Sequence, residues 1–347
     1  FIYIVKFMSL HNFELFNVNC QGEIGDVVIS GNFKLKGQTL LDQSQYLLKD
    51  KKLRNFLLNE PRGGVFKHFN LLVPPLNKSA DAGFIILEPE DNPPMSGSNS
   101  ICVATVLLEK NFIEMKEPFT EFLLEAPGGL IPVKAYCQNK KVETVQINNL
   151  PSFVDQMDVQ IKTPTFGNIK VSTVFGGDSF VICEAKDFNL EIKPENAKKF
   201  VTISKEILNI ANLNLGFSHP ELPSLNFISF CQFIEPIKIN KNNEKEGFNT
   251  VCIRPGKLDR SPCGTGTSAR LALMRQKEEI ALNEKFISRS IIGSKFETFI
   301  GKEFVSNNKK KIIPTIKGSA FITGKQELYL KDDDPFPQGY KLNDTWP

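Results

Sequence analysis

The sequence predicts an α+β protein of two halves, each wrapping strands around a central helix. Three observations carry this reading. Strand-like alternation recurs along the chain, each half contains a helical segment apolar beyond one face, and a break at Asn148–Pro151 separates the halves. The strands are expected at Phe13–Val18, Asp26–Ser30, Phe84–Leu87, Lys134–Tyr136, Val142–Ile147, Lys170–Phe175 and Phe180–Ala185. These are β-branched and aromatic runs bounded by Gly, Pro or Asn. Gln43–Leu57 and Ala197–Asn212 read as amphipathic helices. Ile101–Leu108 is apolar on every side and so is expected inside the sheet of the first half. Ser268–Glu284 opens on the apolar turns Ala269–Met274 and ends charged, which gives the second half its central helix. The charge runs Lys309–Lys311 and Asp332–Asp334 are expected at solvated hairpin or loop tips.

At 347 residues the chain has room for two compact domains and a sizeable core. A net charge of +3 over that length excludes a dominant nucleic-acid footprint, which needs a concentrated basic face. The 29 Phe and 41% hydrophobic content argue for a filled core and against disorder. No apolar run approaches the roughly 18 residues of a membrane span. Phe1–Phe7 is too short for a secretory signal and has no small-residue cleavage site, and Met8 is a candidate start. Seven Cys without a CxxC pair read as reduced thiols of a cytoplasmic protein, not as a disulfide framework. Six are expected as core fillers. The seventh, Cys263, stands in a pattern that carries chemistry.

That pattern occurs twice. Pro94-Met95-Ser96-Gly97-Ser98-Asn99-Ser100 leads into the first central helix, and Asp259-Arg260-Ser261-Pro262-Cys263-Gly264-Thr265-Gly266-Thr267-Ser268 leads into the second. Each places a nucleophile-type residue, Ser96 or Cys263, before Gly and hydroxyl residues at a helix N-terminus. Ser261 is the expected N-cap and Pro262 a first-turn residue, which puts Cys263 inside the first turn. Free N–H groups and the positive dipole end there bind anions and lower a thiol's pKa. Ordinary helix entry and a buried thiol would explain either segment alone; their pairing argues for a site.

Other chemistries fit less well. There is no G-x-S-x-G elbow for a hydrolase, and Gly264–Thr267 lacks the Lys-Ser/Thr of a phosphate loop. A dinucleotide fingerprint lacks its third Gly, and no HExxH or CxxC points to a metal. A catalytically silent binding protein would be expected to lack the thiol of the paired segments, and Cys263 is retained.

Asp259–Arg270 (DRSPCGTGTSAR) resembles the second active-site motif of the proline racemase family, and Met95–Asn99 (MSGSN) resembles the first. Gly22–Val27 (GEIGDV), Glu60–Gly63 (EPRG), Glu125–Gly128 (EAPG), Gly176–Gly177, Phe217–Pro220 (FSHP) and Asp344–Pro347 (DTWP) are similar as well. The resemblance runs from about residue 13 to the C-terminus. It implies the fold of diaminopimelate epimerase: two similar lobes, each a curled mixed sheet around a central helix, with the site between them. The first lobe would take residues 9–150 with returning C-terminal strands at about 320–347, and the second residues 151–319. It also implies a homodimer.

The chemistry implied is cofactor-independent acid/base work at the α-carbon of proline or hydroxyproline. Removing the α-proton makes a carbanion whose charge spreads into the carboxylate, which two helix N-termini would stabilise. Gly97 and Ser98 on one side, and Gly264 and Thr265 on the other, are the expected N–H donors; Asp259 would pair with the cationic ring nitrogen. A lysine Schiff base does not apply, because that nitrogen is a secondary amine. Racemases and 4-hydroxyproline epimerases of the family carry Cys in both motifs, whereas this chain has Ser96 in the first and Ser98 where a His is typical. Members with this Ser/Cys pairing look like trans-3-hydroxy-L-proline dehydratases, some of which also epimerise 4-hydroxyproline.

Overall fold

Strands form two rings that share one member, and each ring encloses one helix. A computed structural model describes residues 11–31 and 33–346 of the chain. The candidate start at Met8, the first residues of the expected first lobe and Pro347 of the DTWP ending lie outside the described residues. In the first ring, His11–Cys20 pairs on one side with Ala320–Leu330 and on the other with Asp26–Ser30. The order continues through Phe69–Val73, Ala82–Leu87, Phe119–Ala126, Gly129–Gln138 and Lys141–Asn148. Lys309–Gly318 then pairs with Lys141–Asn148 and runs on into Ala320–Leu330. The second ring passes from Ser152–Thr163 through Gly167–Phe175, Ser179–Glu184, Phe230–Ile234, Lys245–Ile253, Phe286–Arg289 and Lys295–Ser306. Lys309–Gly318 closes it too, pairing with Lys295–Ser306 and with Ser152 and Phe153. Both sheets are mixed: Asp26–Ser30 with Phe69–Val73, and Ser179–Glu184 with Phe230–Ile234, run parallel. The result is α+β and two-lobed, as expected.

Among the described residues there are five α-helices: α1 (Leu40–Asp50), α2 (Lys52–Leu58), α3 (Gly97–Glu109), α4 (Ala197–Asn214) and α5 (Gly264–Gln276). α3 is the all-apolar segment, and its Ile101, Val103, Ala104 and Val106 are fully buried in the first lobe. α5 fills the second lobe with Ala269, Leu271, Leu273 and Met274. α4 is amphipathic and lays Phe200, Ile203, Ile207 and Ala211 on the outside of that sheet.

Three expectations change. The helix expected at Gln43–Leu57 is two helices, because Lys51 takes a left-handed conformation (φ 58°) and its N–H closes α1 on the Leu47 carbonyl. α5 stops at Gln276, short of Glu284, where Glu278 turns left-handed (φ 59°) and Ile280 enters the core. Lys309–Lys311 begins a strand; the hairpin tip is Asn307–Asn308, both at positive φ. Lys311 is buried, donates to Glu221 at 2.6 Å and lies over the Phe153 ring. Strands such as Phe230–Ile234 and Lys245–Ile253 have no clear alternation because both faces are covered.

Candidate active site

The N-termini of α3 and α5 meet backbone to backbone between the lobes. A Cβ on Gly97 would lie 2.8 Å from the Gly264 Cα, and one on Gly264 would lie 2.6 Å from the Gly97 Cα. Only glycine fits at both positions. The first N–H groups of a helix lack intrahelical partners, so two sets of donors and two positive dipole ends converge here. Gly176 brings a third segment against α5, since a Cβ there would fall 2.2 Å from the Thr265 carbonyl oxygen. Asn149, at the junction of the lobes, donates to the Gly176 carbonyl at 2.8 Å and to Ser268 Oγ at 2.6 Å.

Ser96 is the N-cap of α3 with extended backbone (φ −147°, ψ 123°), and its side chain makes no cap bond. Its Oγ accepts from Asn99 Nδ2 at 2.9 Å, and Asn99 Oδ1 accepts from Asn70 Nδ2 at 2.9 Å. Ser98 Oγ is 3.4 Å away. Among the described residues, none of the hydrogen bonds or ion pairs of Ser96 involves a carboxylate or an imidazole.

Cys263 differs from the expectation in two ways. It is itself the N-cap of α5, so the helix begins at Gly264 and not at Pro262. Its backbone takes φ 59°, ψ 110°, a region costly for a side chain and characteristic of functional sites. Ser261 accepts from the Cys263 N–H at 3.2 Å and so caps the turn before the helix. The thiol Sγ accepts from the Gly266 N–H at 3.3 Å and lies 3.5 Å from Thr265 Oγ1. The second difference is electrostatic. Burial pushes the thiol well above its ordinary pKa, the neighbouring Asp259 adds to this, and the bonds from Thr265 and Gly266 oppose it without winning. Beside an ionised Asp259 the group is a thiol, not the expected thiolate.

Asp259 is hydrogen-bonded to Cys263 and is pushed up to about 7 by burial and by Glu23, while Lys257 pulls the other way. Glu23, from the first lobe, contacts Lys257. His68 lies between carboxylates, with Nε2 3.8 Å from Glu23 and Nδ1 3.7 Å from Glu88. Burial and Lys257 push it down to about 3, so it is neutral. Glu88 is raised well above the carboxylate range by burial and by Asp259, and Asp178 is pushed up to about 6 by burial. Asp91 and Arg254 form a further pair between the lobes.

The structure thus gathers Ser96, Gly97, Ser98, Asp259, Cys263, Gly264 and Thr265 in one place. GEIGDV joins them, because Glu23 reaches Lys257 and a Cβ on Gly25 would fall 2.7 Å from Asn99 Oδ1. EPRG and DTWP instead hold each other, through Thr345 and Glu60 at 3.1 Å. In FSHP, His219 Nδ1 accepts from the N–H groups of Glu221 and Leu222 and the ring packs on Phe175. Lys257, His68, Glu88, Asn70 and Asn99 also stand at the site, and of these the motifs single out Asn99 alone. The available signal was Lys257, two residues before Asp259 of the second motif.

The family model described as proline racemase matches residues 15–341. A hydroxyproline epimerase from Agrobacterium vitis, solved with bound trans-4-hydroxy-L-proline, is 36% identical, covers 97% of each chain and superposes with a TM-score of 0.90. A probable proline racemase from Agrobacterium radiobacter K84, solved with bound carbonate, is 38% identical over 96% of this chain and 98% of its own, also with a TM-score of 0.90. A Bacillus anthracis phenazine biosynthesis protein of the PhzF family shares the fold alone, at 13% identity, 92% and 99% coverage and a TM-score of 0.56. Motifs, family model and solved relatives agree on an amino-acid isomerase or epimerase type of enzyme. The chain belongs to the proline racemase family.

Proposed function

We propose that the protein dehydrates trans-3-hydroxy-L-proline and epimerises 4-hydroxyproline as a second activity. The observation that carries this is the unequal pair at the helix ends: one thiol at Cys263 and one serine, Ser96, whose Oγ bonds, among the described residues, to an amide and to a second hydroxyl. A serine hydroxyl without a base is a poor proton acceptor. In trans-3-hydroxy-L-proline the hydroxyl is trans to the carboxylate and so lies on the face of the α-hydrogen. One group on that face suffices. On substrate binding the Cys263 thiol gives its proton to solvent; the thiolate takes the α-proton, the C–H electrons form the C2=C3 bond, and the C3–O bond breaks. The thiol then returns its proton to the leaving hydroxide as water, which restores the thiolate and leaves a pyrroline carboxylate.

The remaining residues support this sequence of events. N–H groups of Gly97, Ser98, Gly264 and Thr265 hold the carboxylate as charge builds on it. Asp259 pairs with the ring ammonium. That cation offsets the Asp259 charge, which is the second cause of the raised thiol pKa, so the bound substrate itself favours the thiolate. Epimerisation as the main activity is the second reading. It is favoured by the trans-4-hydroxy-L-proline held by the 36% identical Agrobacterium vitis protein. The family resemblance supports a homodimer as the working form, and seven Cys without a CxxC pair support a cytoplasmic setting. The test incubates the purified protein with trans-3-hydroxy-L-proline, trans-4-hydroxy-L-proline and L-proline, and scores pyrroline formation and optical rotation. The reading expects pyrroline from the first substrate at the highest rate; optical change in the second with no pyrroline from the first would overturn it.

A further inference from the structure

A buried ion pair joins the two lobes directly beside Asp259. Glu23 on the strand Glu23–Ile24 and Lys257 on the strand Lys257–Leu258 touch, with their side chains 2% and 3% exposed. The other oxygen of Glu23 accepts the Arg260 backbone N–H. One carboxylate of the first lobe therefore holds the second lobe's chain on both sides of residue 259. Lys257 Nζ is also 3.4 Å from His68 Nε2 and 3.9 Å from Asp259 Oδ1. His68 Nδ1 has no hydrogen-bond partner among the described residues. A buried pair of this kind adds little stability over apolar residues of the same volume. Its place beside a titrating carboxylate at the candidate site points to function instead.

We propose that Glu23 and Lys257 are positioning residues that fix the place and charge of Asp259 from across the lobe boundary, so that it can grip a cationic ring nitrogen. The proposal rests on the reading of Asp259 as the amine-binding group. Among the described residues, the charged and titratable groups acting on Asp259 are Glu23, Lys257, Arg260, Glu88 and the thiols of Cys263 and Cys252. Lys257 favours the ionised carboxylate and Glu23 disfavours it. The two have opposite signs, which separates a charge role from a merely structural one.

The experiment measures kcat/KM for hydroxyproline against pH in Glu23→Gln and Lys257→Met, with the Ki of pyrrole-2-carboxylate as a probe that carries no ring cation. Glu23→Gln should move the acid limb to lower pH and Lys257→Met to higher pH, each by about half a unit or more. The Ki of the probe at the optimum should change by less than about threefold in both. Lys257→Gln keeps a donor to Glu23 without the charge and should behave as Lys257→Met does if the latter fails to fold. Rates that fall equally at every pH with unmoved limbs would overturn the proposal. Asp259→Asn checks the reading beneath it. If that variant keeps the wild-type KM, the amine-binding role is wrong; if its KM rises while the limbs of the other variants stay put, only the positioning role is wrong.

Discussion

The two helix ends share a plan and differ in what holds their first side chain. At α3 the backbone of Ser96 is relaxed and extended, and its hydroxyl is fixed by Asn99, itself fixed by Asn70. At α5 the backbone of Cys263 is left-handed, its sulfur caps the helix through the Gly266 N–H, and Asp259 stands beside it. The first end orients a neutral group. The second bends the chain to place a thiol where a carboxylate opposes ionisation and a backbone N–H supports it. On the proposed reading, the difference teaches that the repeat supplies two helix ends for an anion but equips one of them, at Cys263, far better for proton transfer than the other.

Cys263→Ala should break the asymmetry outright. Turnover of both hydroxyprolines should fall by about a thousandfold or more, with the urea midpoint little changed; a folded variant retaining a tenth of the rate would move the chemistry elsewhere. Gly264→Ala tests the shared contact instead. Its Cβ would press on the Gly97 backbone at 2.6 Å, so we expect about 1–3 kcal/mol of lost stability and about a hundredfold lower rate. A variant of unchanged stability and rate would mean that the helix ends need not touch. The third test is pH. Asp259 sits at about 7, raised from the ordinary carboxylate value. It is therefore protonated below that pH and loses its hold on an ammonium ion. kcat/KM should fall by about tenfold per unit on the acid side of 7, and a flat profile down to pH 5 would count against the pairing. Ser96→Cys should have the smallest effect, raising the epimerase-to-dehydratase ratio by about tenfold by equipping the second end. An unchanged ratio would show that the serine already transfers protons as well as a thiol.

Much of this was legible in the sequence because the informative signals are local. The all-apolar run Ile101–Leu108 gave away a helix inside a sheet, and the paired Gly-rich entries gave away where both helices begin. What escaped was set by tertiary contact. Lys51 and Glu278 carry no helix-breaking chemistry, yet each turns left-handed so that Leu57 or Ile280 can enter the core. The start of α5 lies two positions later than expected because the cap bond goes to the Cys263 sulfur, an acceptor the usual Ser/Thr/Asp pattern does not include. The direction of its pKa depends on burial and on Asp259, which helix position does not report. Lys257 and Glu23 lie far apart in the chain and meet only when the lobes do.

The central claim is that elimination needs the Cys263 end alone while epimerisation needs both. Ser96→Ala tests it most directly, assayed in parallel on trans-3-hydroxy-L-proline and trans-4-hydroxy-L-proline. The account predicts dehydration within about tenfold of wild type and epimerisation reduced by about a hundredfold or more. Equal loss of both activities, or loss of dehydration with epimerisation retained, would contradict it.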